Sequence, residues 1–261
     1  MCSFRNPKPA VRRAGMQTVP LRLWFAWGVA QIIFGGYHHS KAVELPVPLH
    51  PTSSVTFADR QTAQRLLAKQ DRFIQNLSPI DRQLRLNSAT AVSTKQFLKF
   101  VQEQALDWKP GEQAKITAVL GEIQPLLSGL IAGWPKHIQL IITSGREESG
   151  APHCRSSAIV LPRSALQSNP TALKRLLLHE LFHVLSNHSP KLRGQLYAIV
   201  GFREVEPIPL PQAIANRKLT NPDAPRVDCI VRIDHEGKPL DVAPVLITKD
   251  AEYDSLANRT L

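Results

Sequence analysis

The residues best equipped for chemistry are His179, Glu180 and His183, in the stretch His179-Glu180-Leu181-Phe182-His183. Histidines four apart on a helix lie one turn apart on the same face, so their imidazoles can hold one Zn²⁺ together. The glutamate that follows the first ligand is placed to act as general base toward a metal-activated water. One short segment thus supplies two ligands and a base for metal-assisted hydrolysis. Its surroundings suit that task. From Leu176 to Leu185 there is no Pro, no Gly and no charge except Glu180. Such a run gives an ion a dry wall and gives the helix an unbroken backbone. Asn169 as N-cap and Pro170 as first helical residue mark where the helix starts. A core helix with no metal would have to find other partners for two imidazoles and a carboxylate in an apolar run, which is costly.

A catalytic zinc takes three protein ligands and keeps one position for water. His188 is near, but the longer H-E-x-x-H-x-x-G-x-x-H pattern fails here, with Ser186 at the Gly position and Ser189 at the last His. At about 100° per residue, His188 also points away from His179, so it reads as a surface residue near the helix end. Asn187-His188-Ser189-Pro190 is a stop-and-restart signal. It predicts a second helix from Pro190 to Val200, ended by Gly201. Beyond it come Glu204 and Glu206, 21 and 23 residues after His183. Either closes a His-His-Glu site; the alternative for each is a solvated loop charge. Tyr197, on the second helix, is either a phenol donating to an oxyanion near the metal or an amphipathic core residue.

With these residues the chain resembles the zincin superfamily of metallopeptidases, and the gluzincin arrangement in particular. His179 and His183 match the metal ligands, Glu180 matches the catalytic base, and Glu204 or Glu206 would match the downstream glutamate. The segment around those two glutamates matches no gluzincin signature. The stretch from His179 to Phe202, with Thr220-Asn221-Pro222-Asp223-Ala224-Pro225, resembles exported bacterial HExxH proteins of unassigned substrate. The resemblance covers about residues 137–225. It implies a strand ahead of the active-site helix whose edge pairs with a bound peptide. Ser157 to Leu161, ended by Pro162, suits that edge strand, and His137 to Thr143 suits a neighbouring strand.

Residues 1–42 read as a secretory signal. Arg5, Lys8, Arg12, Arg13 and Arg22 form a basic start without acids, Leu23 to Gly36 form an apolar stretch, and Ser40-Lys41-Ala42 supplies small residues for cleavage. The apolar stretch has 14 residues, short of the roughly 20 that span a bilayer, so membrane attachment is expected only if this segment is uncleaved. The segment also accounts for much of the charge. It holds six of the 32 Lys and Arg and none of the 21 acids, so a net charge of +11 falls to +5 over the remainder. No basic stripe interleaved with aromatics is present, and no nucleic-acid partner is expected. Cys154 and Cys229 are an even pair that an oxidising compartment would allow to join.

Elsewhere, residues 43–55 are Pro-rich and extended. Phe57 to Gln75, Lys95 to Leu106 and Glu112 to Ile131 carry helical periodicity, the last interrupted at Pro125. Pro207, Pro209 and Pro211 make a stiff connector. Val227 to Ile233 and Val242 to Thr248 read as strands around a turn at Asp234 to Gly237, with His235 and Glu236 at a solvated tip. The expected class is α+β: a zincin-like core of mixed sheet and active-site helix over 136–261, a helical N-terminal region over 43–135, and a C-terminal β-hairpin. The expected activity is that of an exported, periplasmic or secreted zinc metallopeptidase acting on a peptide or protein. The alternatives are a binding protein with a structural or vestigial metal site, and hydrolysis of a non-peptide amide.

Overall fold

Ile138, Leu140 and Ile142 point to one side of an extended segment, and Ile141 points to the other. All four are fully buried, so this strand must have helices on both faces. The computed structural model describes residues 45–129 and 133–249 and shows that arrangement. In chain order the elements are β1 (Val47–His50), β2 (Ser53–Phe57), α1 (Arg60–Leu67), α2 (Arg72–Asn76), α3 (Pro79–Leu86), α4 (Thr94–Glu103) and α5 (Pro110–Leu127). Then follow β3 (His137–Thr143), β4 (His153–Arg155), β5 (Ala158–Pro162), α6 (Pro170–His188), α7 (Pro190–Ile199), β6 (Phe202–Glu204), α8 (Gln212–Ala215), β7 (Cys229–His235) and β8 (Lys238–Val242). The chain is therefore α+β, with one mixed sheet and a smaller antiparallel one.

The larger sheet has the order β1-β2-β3-β5-β4. β3 lies at its centre, parallel to both β2 and β5, and β1 and β4 are antiparallel outer strands. Ile138, Leu140, Ile142, Ile159 and Leu161 pack with α5 and α6 on one face. Ile141, Ala158 and Val160 pack with α1, α2 and α4 on the other. The period of two along β3 and β5 thus splits the core into two layers around one sheet.

Several expectations change here. The region 43–135 is not purely helical: it contributes β1 and β2, and β2 pairs with β3 across the boundary drawn at 135. β5 is not an edge strand, because β4 folds back along it, pairing Cys154 with Ile159. The second strand of the C-terminal hairpin is Lys238–Val242 rather than Val242–Thr248. The turn needs only Glu236 and Gly237, both at positive φ, and Asp234 Oδ1 accepts from Gly237 N at 2.9 Å. This two-residue turn brings β8 in four residues early. Pro125 sits in the last turn of α5 and the helix ends at Leu127. The leader expected over 1–42 lies outside the described residues, as does Ile131. Among the described residues, no helix is long and apolar enough to cross a membrane.

The smaller sheet, β6-β7-β8, is bound to α7 through Arg193. The guanidinium pairs with Asp228 at 2.8 Å and with Glu204, and it stacks over the Tyr197 ring at 4.7 Å.

Leu177 is fully buried where α6 meets the sheet. Leu177→Ala is expected to lower stability by about 2–5 kcal/mol, through lost transfer energy and a residual cavity, measured by urea unfolding.

Candidate functional site

Helix α6 begins as its sequence dictates. Asn169 Oδ1 accepts from Ala172 N at 2.9 Å, and Pro170 occupies the first helical position. Leu173, Leu177, Leu181, Val184 and Leu185 recur at three- and four-residue spacing and bury against the sheet. That stripe sets the rotation of the helix. His179 falls on the solvent side, His183 is half-buried, and Glu180 turns inward, 2 % exposed, toward β4.

The two imidazoles face one another, with Nε2 of His183 3.1 Å from Nε2 of His179. Nitrogen ligands of one tetrahedral zinc stand about 3.3 Å apart, given Zn–N bonds of roughly 2.0–2.1 Å. The pair is therefore spaced as two ligands of a single ion would be. Burial, and then the neighbouring His179, hold the His183 pKa down at about 4. His183 is neutral at physiological pH, with a nitrogen lone pair to offer. Two imidazoles on one helix face are donors that suit zinc, while the carboxylates of Glu180 and Asp223 are grouped with the Cys154 thiol.

Glu180 has a different neighbourhood. Its side chain Oε2 accepts from the Cys154 thiol at 3.4 Å, and its main-chain carbonyl lies 3.2 Å from the same sulfur. Cys154 N in turn donates to Asp223 Oδ1 at 2.7 Å. Ligand atoms of Cys154, Glu180 and Asp223 all lie within 4.8 Å of one another. Burial, followed by the charge of Asp223, raises the Glu180 pKa to about 7, a suitable value for a group that exchanges a proton near neutrality. Burial pushes the Cys154 thiol well above its ordinary pKa, so it stays protonated and acts as a donor, not as a nucleophile.

Asp223 is the residue of this group that sequence reasoning missed, while Cys154 was weighed there as a disulfide partner. Asp223 belongs to the loop Thr220-Asn221-Pro222-Asp223, which is tied down at its start. Asp81 caps α3 together with Ser78, and its carboxylate also accepts from Thr220 N at 3.0 Å and Thr220 Oγ1 at 2.7 Å. Arg85 pairs with Asp81 at 2.5 Å and Glu148 at 2.7 Å, and donates to Thr220 O at 2.8 Å. Asn221 Oδ1 then accepts from Asp223 N at 2.9 Å, closing an Asx turn. The signal legible in the sequence was the turn chemistry of Asn221-Pro222-Asp223. Its destination beside Cys154 was not.

The expected third ligands are placed elsewhere. Glu204 is bound by Arg193, and Glu206 is exposed on the strand of prolines. Tyr197 is buried, stacked on Phe182 at 6.0 Å with its other face toward Arg193. With His183 it lines a cleft of about 630 Å³ between α7, β6 and the 218–229 segment. Phe182, Phe202, Leu219 and Val227 make most of its wall apolar. His188 ends α6 exposed, and His235 and Glu236 are exposed at the hairpin tip. Cys154 and Cys229 are both free. The disulfide considered from their even number does not form, because Cys154 is turned in beneath α6 while Cys229 opens β7 beside Arg193, 3.6 Å from Nη2. The edge expected for a peptide strand at Ser157–Leu161 is covered by β4, and on the far side of β4 the Cys154 N–H goes to Asp223.

Comparison with known protein-family models, characterised proteins and solved structures gives no match to this chain.

Two outcomes follow from these contacts. Asp81 is fully buried, and Asp81→Ala, which strips Arg85 of a buried partner, is expected to cost about 3–5 kcal/mol in a denaturant titration. The second concerns pH. Glu180 binds its proton more tightly folded than unfolded, about 7 against 4.5, so its contribution is full below pH 4.5 and is lost as pH rises through about 7. His183 runs the other way, from 6.5 down to about 4, so its contribution is full above pH 6.5 and is lost as pH falls through about 4. In metal-free protein, Glu180→Gln should remove the loss of stability between pH 4.5 and 7 and leave the acid-side loss intact, read from unfolding midpoints across that range.

Proposed function

We propose that this chain is a zinc-dependent hydrolase of the zincin type that cleaves peptide bonds, and that it works outside the cytoplasm. The observation that carries the reading is the approach of His179 Nε2 and His183 Nε2 to 3.1 Å on one face of α6, with the cleft lined by His183 beside it. A zinc ion held by these imidazoles would supply Lewis acidity toward a carbonyl and lower the pKa of a bound water. The remaining work falls to the chain itself. His183, neutral by burial, offers Nε2 as a ligand without first losing a proton. Glu180, with a proton affinity near neutrality, accepts a proton at its carboxylate and returns it to the leaving amine. The Cys154 thiol holds one Glu180 oxygen in place through its hydrogen bond.

Substrate binding is assigned to the cleft. Its apolar wall suits a bulky hydrophobic side chain, and burial of such a side chain excludes water from the reacting bond. Tyr197 lines the same cleft, and burial raises its pKa. The phenol therefore keeps its proton and serves as a hydrogen-bond donor there.

The test is a pair of variants measured for zinc content and for turnover on a peptide library. Glu180→Gln should retain about one zinc per chain and lose activity by roughly 10²–10⁴-fold, the usual worth of a general base. His183→Ala should lose both zinc and activity. Full turnover by Glu180→Gln would sink the mechanism.

A further inference from the structure

The cleft beside His183 carries an ammonium that the fold does not use. Lys218 lines this cleft together with Asn221. It is half-buried, and among the described residues its side chain makes no hydrogen bond or ion pair. The charge of Asp81 reaches it only through space, and that carboxylate is already bound by Arg85 and by Thr220. Burial lowers the Lys218 pKa, as it does for a cation drawn out of water with no counter-ion in contact.

The rest of the lining is short of acceptors as well. Asn221 turns its Oδ1 to Asp223 N, and its Nδ2 makes no hydrogen bond among the described residues. The one acid among the described residues that line the cleft is Asp228. It is spent on Arg193 at 2.8 Å and on Arg226 at 2.7 Å. Two donors from one loop are thus left without an anion, next to a wall made apolar by Phe182, Phe202 and Leu219. The group that complements them is an ionised carboxylate, which only accepts hydrogen bonds and can meet both donors at once. The apolar wall calls for a bulky hydrophobic group attached close to that carboxylate.

We propose that Lys218 is the carboxylate-binding residue of this cleft, assisted by Asn221, and that the substrates are peptides with a free carboxylate beside a bulky apolar side chain. The assignment rests on the reading of the cleft as the substrate site. A peptide that ends in a large apolar residue carries both groups on one residue, and an acidic side chain next to an apolar one offers the same chemistry. A carboxylate that meets the ammonium in a half-buried, apolar setting is screened less than one at the open surface.

The experiment is calorimetric titration of the purified full chain, before and after chelation, because a bound zinc would itself attract a carboxylate. The probes are two pairs. N-acetylphenylalanine against N-acetylphenylalaninamide reads a terminal carboxylate. N-acetyl-glutamyl-phenylalaninamide against its glutaminyl twin reads an acidic side chain. In at least one pair the acid should bind roughly 10–100-fold more tightly than its uncharged twin, the usual worth of a hydrogen bond to a charged group. That difference should persist after chelation, vanish in Lys218→Met and remain in Lys218→Arg. Ser78 Oγ holds residue 218 through its main-chain carbonyl at 2.8 Å, so both exchanges leave this tie of the loop intact. Equal binding of acid and uncharged twin in both pairs, no binding of any probe, or a difference that survives in Lys218→Met overturns the assignment. A preference that depends on Lys218, in a chain that holds no zinc and cleaves no peptide, removes the hydrolase reading and leaves the carboxylate site standing. Zinc-dependent cleavage without any preference for the acid does the reverse.

Discussion

The seating of α6 on the sheet governs everything near the site. Leu173, Leu177, Leu181 and Val184 can leave water only if one face of the helix meets Leu140, Ile142, Ile159 and Leu161. Once that face is committed, the angular positions of the intervening residues follow from 100° per residue. Glu180 turns toward β4, while His179 and His183 stand one turn apart along the outer flank. The dispersion and hydrophobic terms that stabilise the helix therefore also aim its polar groups, and a helix rotated to expose the imidazoles further would lift its leucines from the core.

A second layer of order comes from buried charge. Asp81 and Arg85 of α3 reach a loop well over a hundred residues downstream and hold it by main-chain and side-chain contacts to Thr220. Arg193 does the same between α7 and the smaller sheet, through Glu204, Asp228 and the Tyr197 ring. Each guanidinium satisfies several acceptors at once in fixed geometry, which a lysine could not do. These two joints frame the region around the helix. One fixes the loop bearing Asp223, and the other fixes the cleft wall bearing Tyr197.

The differences between expectation and fold have a common cause. Ser157 to Leu161 has the composition of an edge strand, with a proline at its end, yet β4 covers it. Three residues, His153 to Arg155, are too short to show a period, so pairing alone reveals them as a strand. The N-terminal region reads as helical because its helices have clear caps and stripes, whereas Val47–His50 and Ser53–Phe57 are short and follow prolines. Ser53–Phe57 becomes a strand by joining β3, a partner some eighty residues away, and Val47–His50 by folding back on Ser53–Phe57.

Local chemistry was legible where it was local. The start of α6 at Asn169 and Pro170, the break at Ser189 and Pro190, the stop near Gly201, and the shared face of His179 and His183 follow from caps, ring constraints and helical pitch. Those forces act within a few residues, so the sequence by itself determined them. The fate of the carboxylates was different. Glu204 and Glu206 were nearer in sequence to the histidines than Asp223 was, and nothing in their own neighbourhood marked Arg193 as a competitor for the first. Tertiary structure alone decided that Glu204 pairs with Arg193, that the two cysteines stay apart, and that Asp223 arrives beside Cys154 and Glu180. Charge pairing and chain closure over long loops are through-space effects, and sequence distance does not encode them.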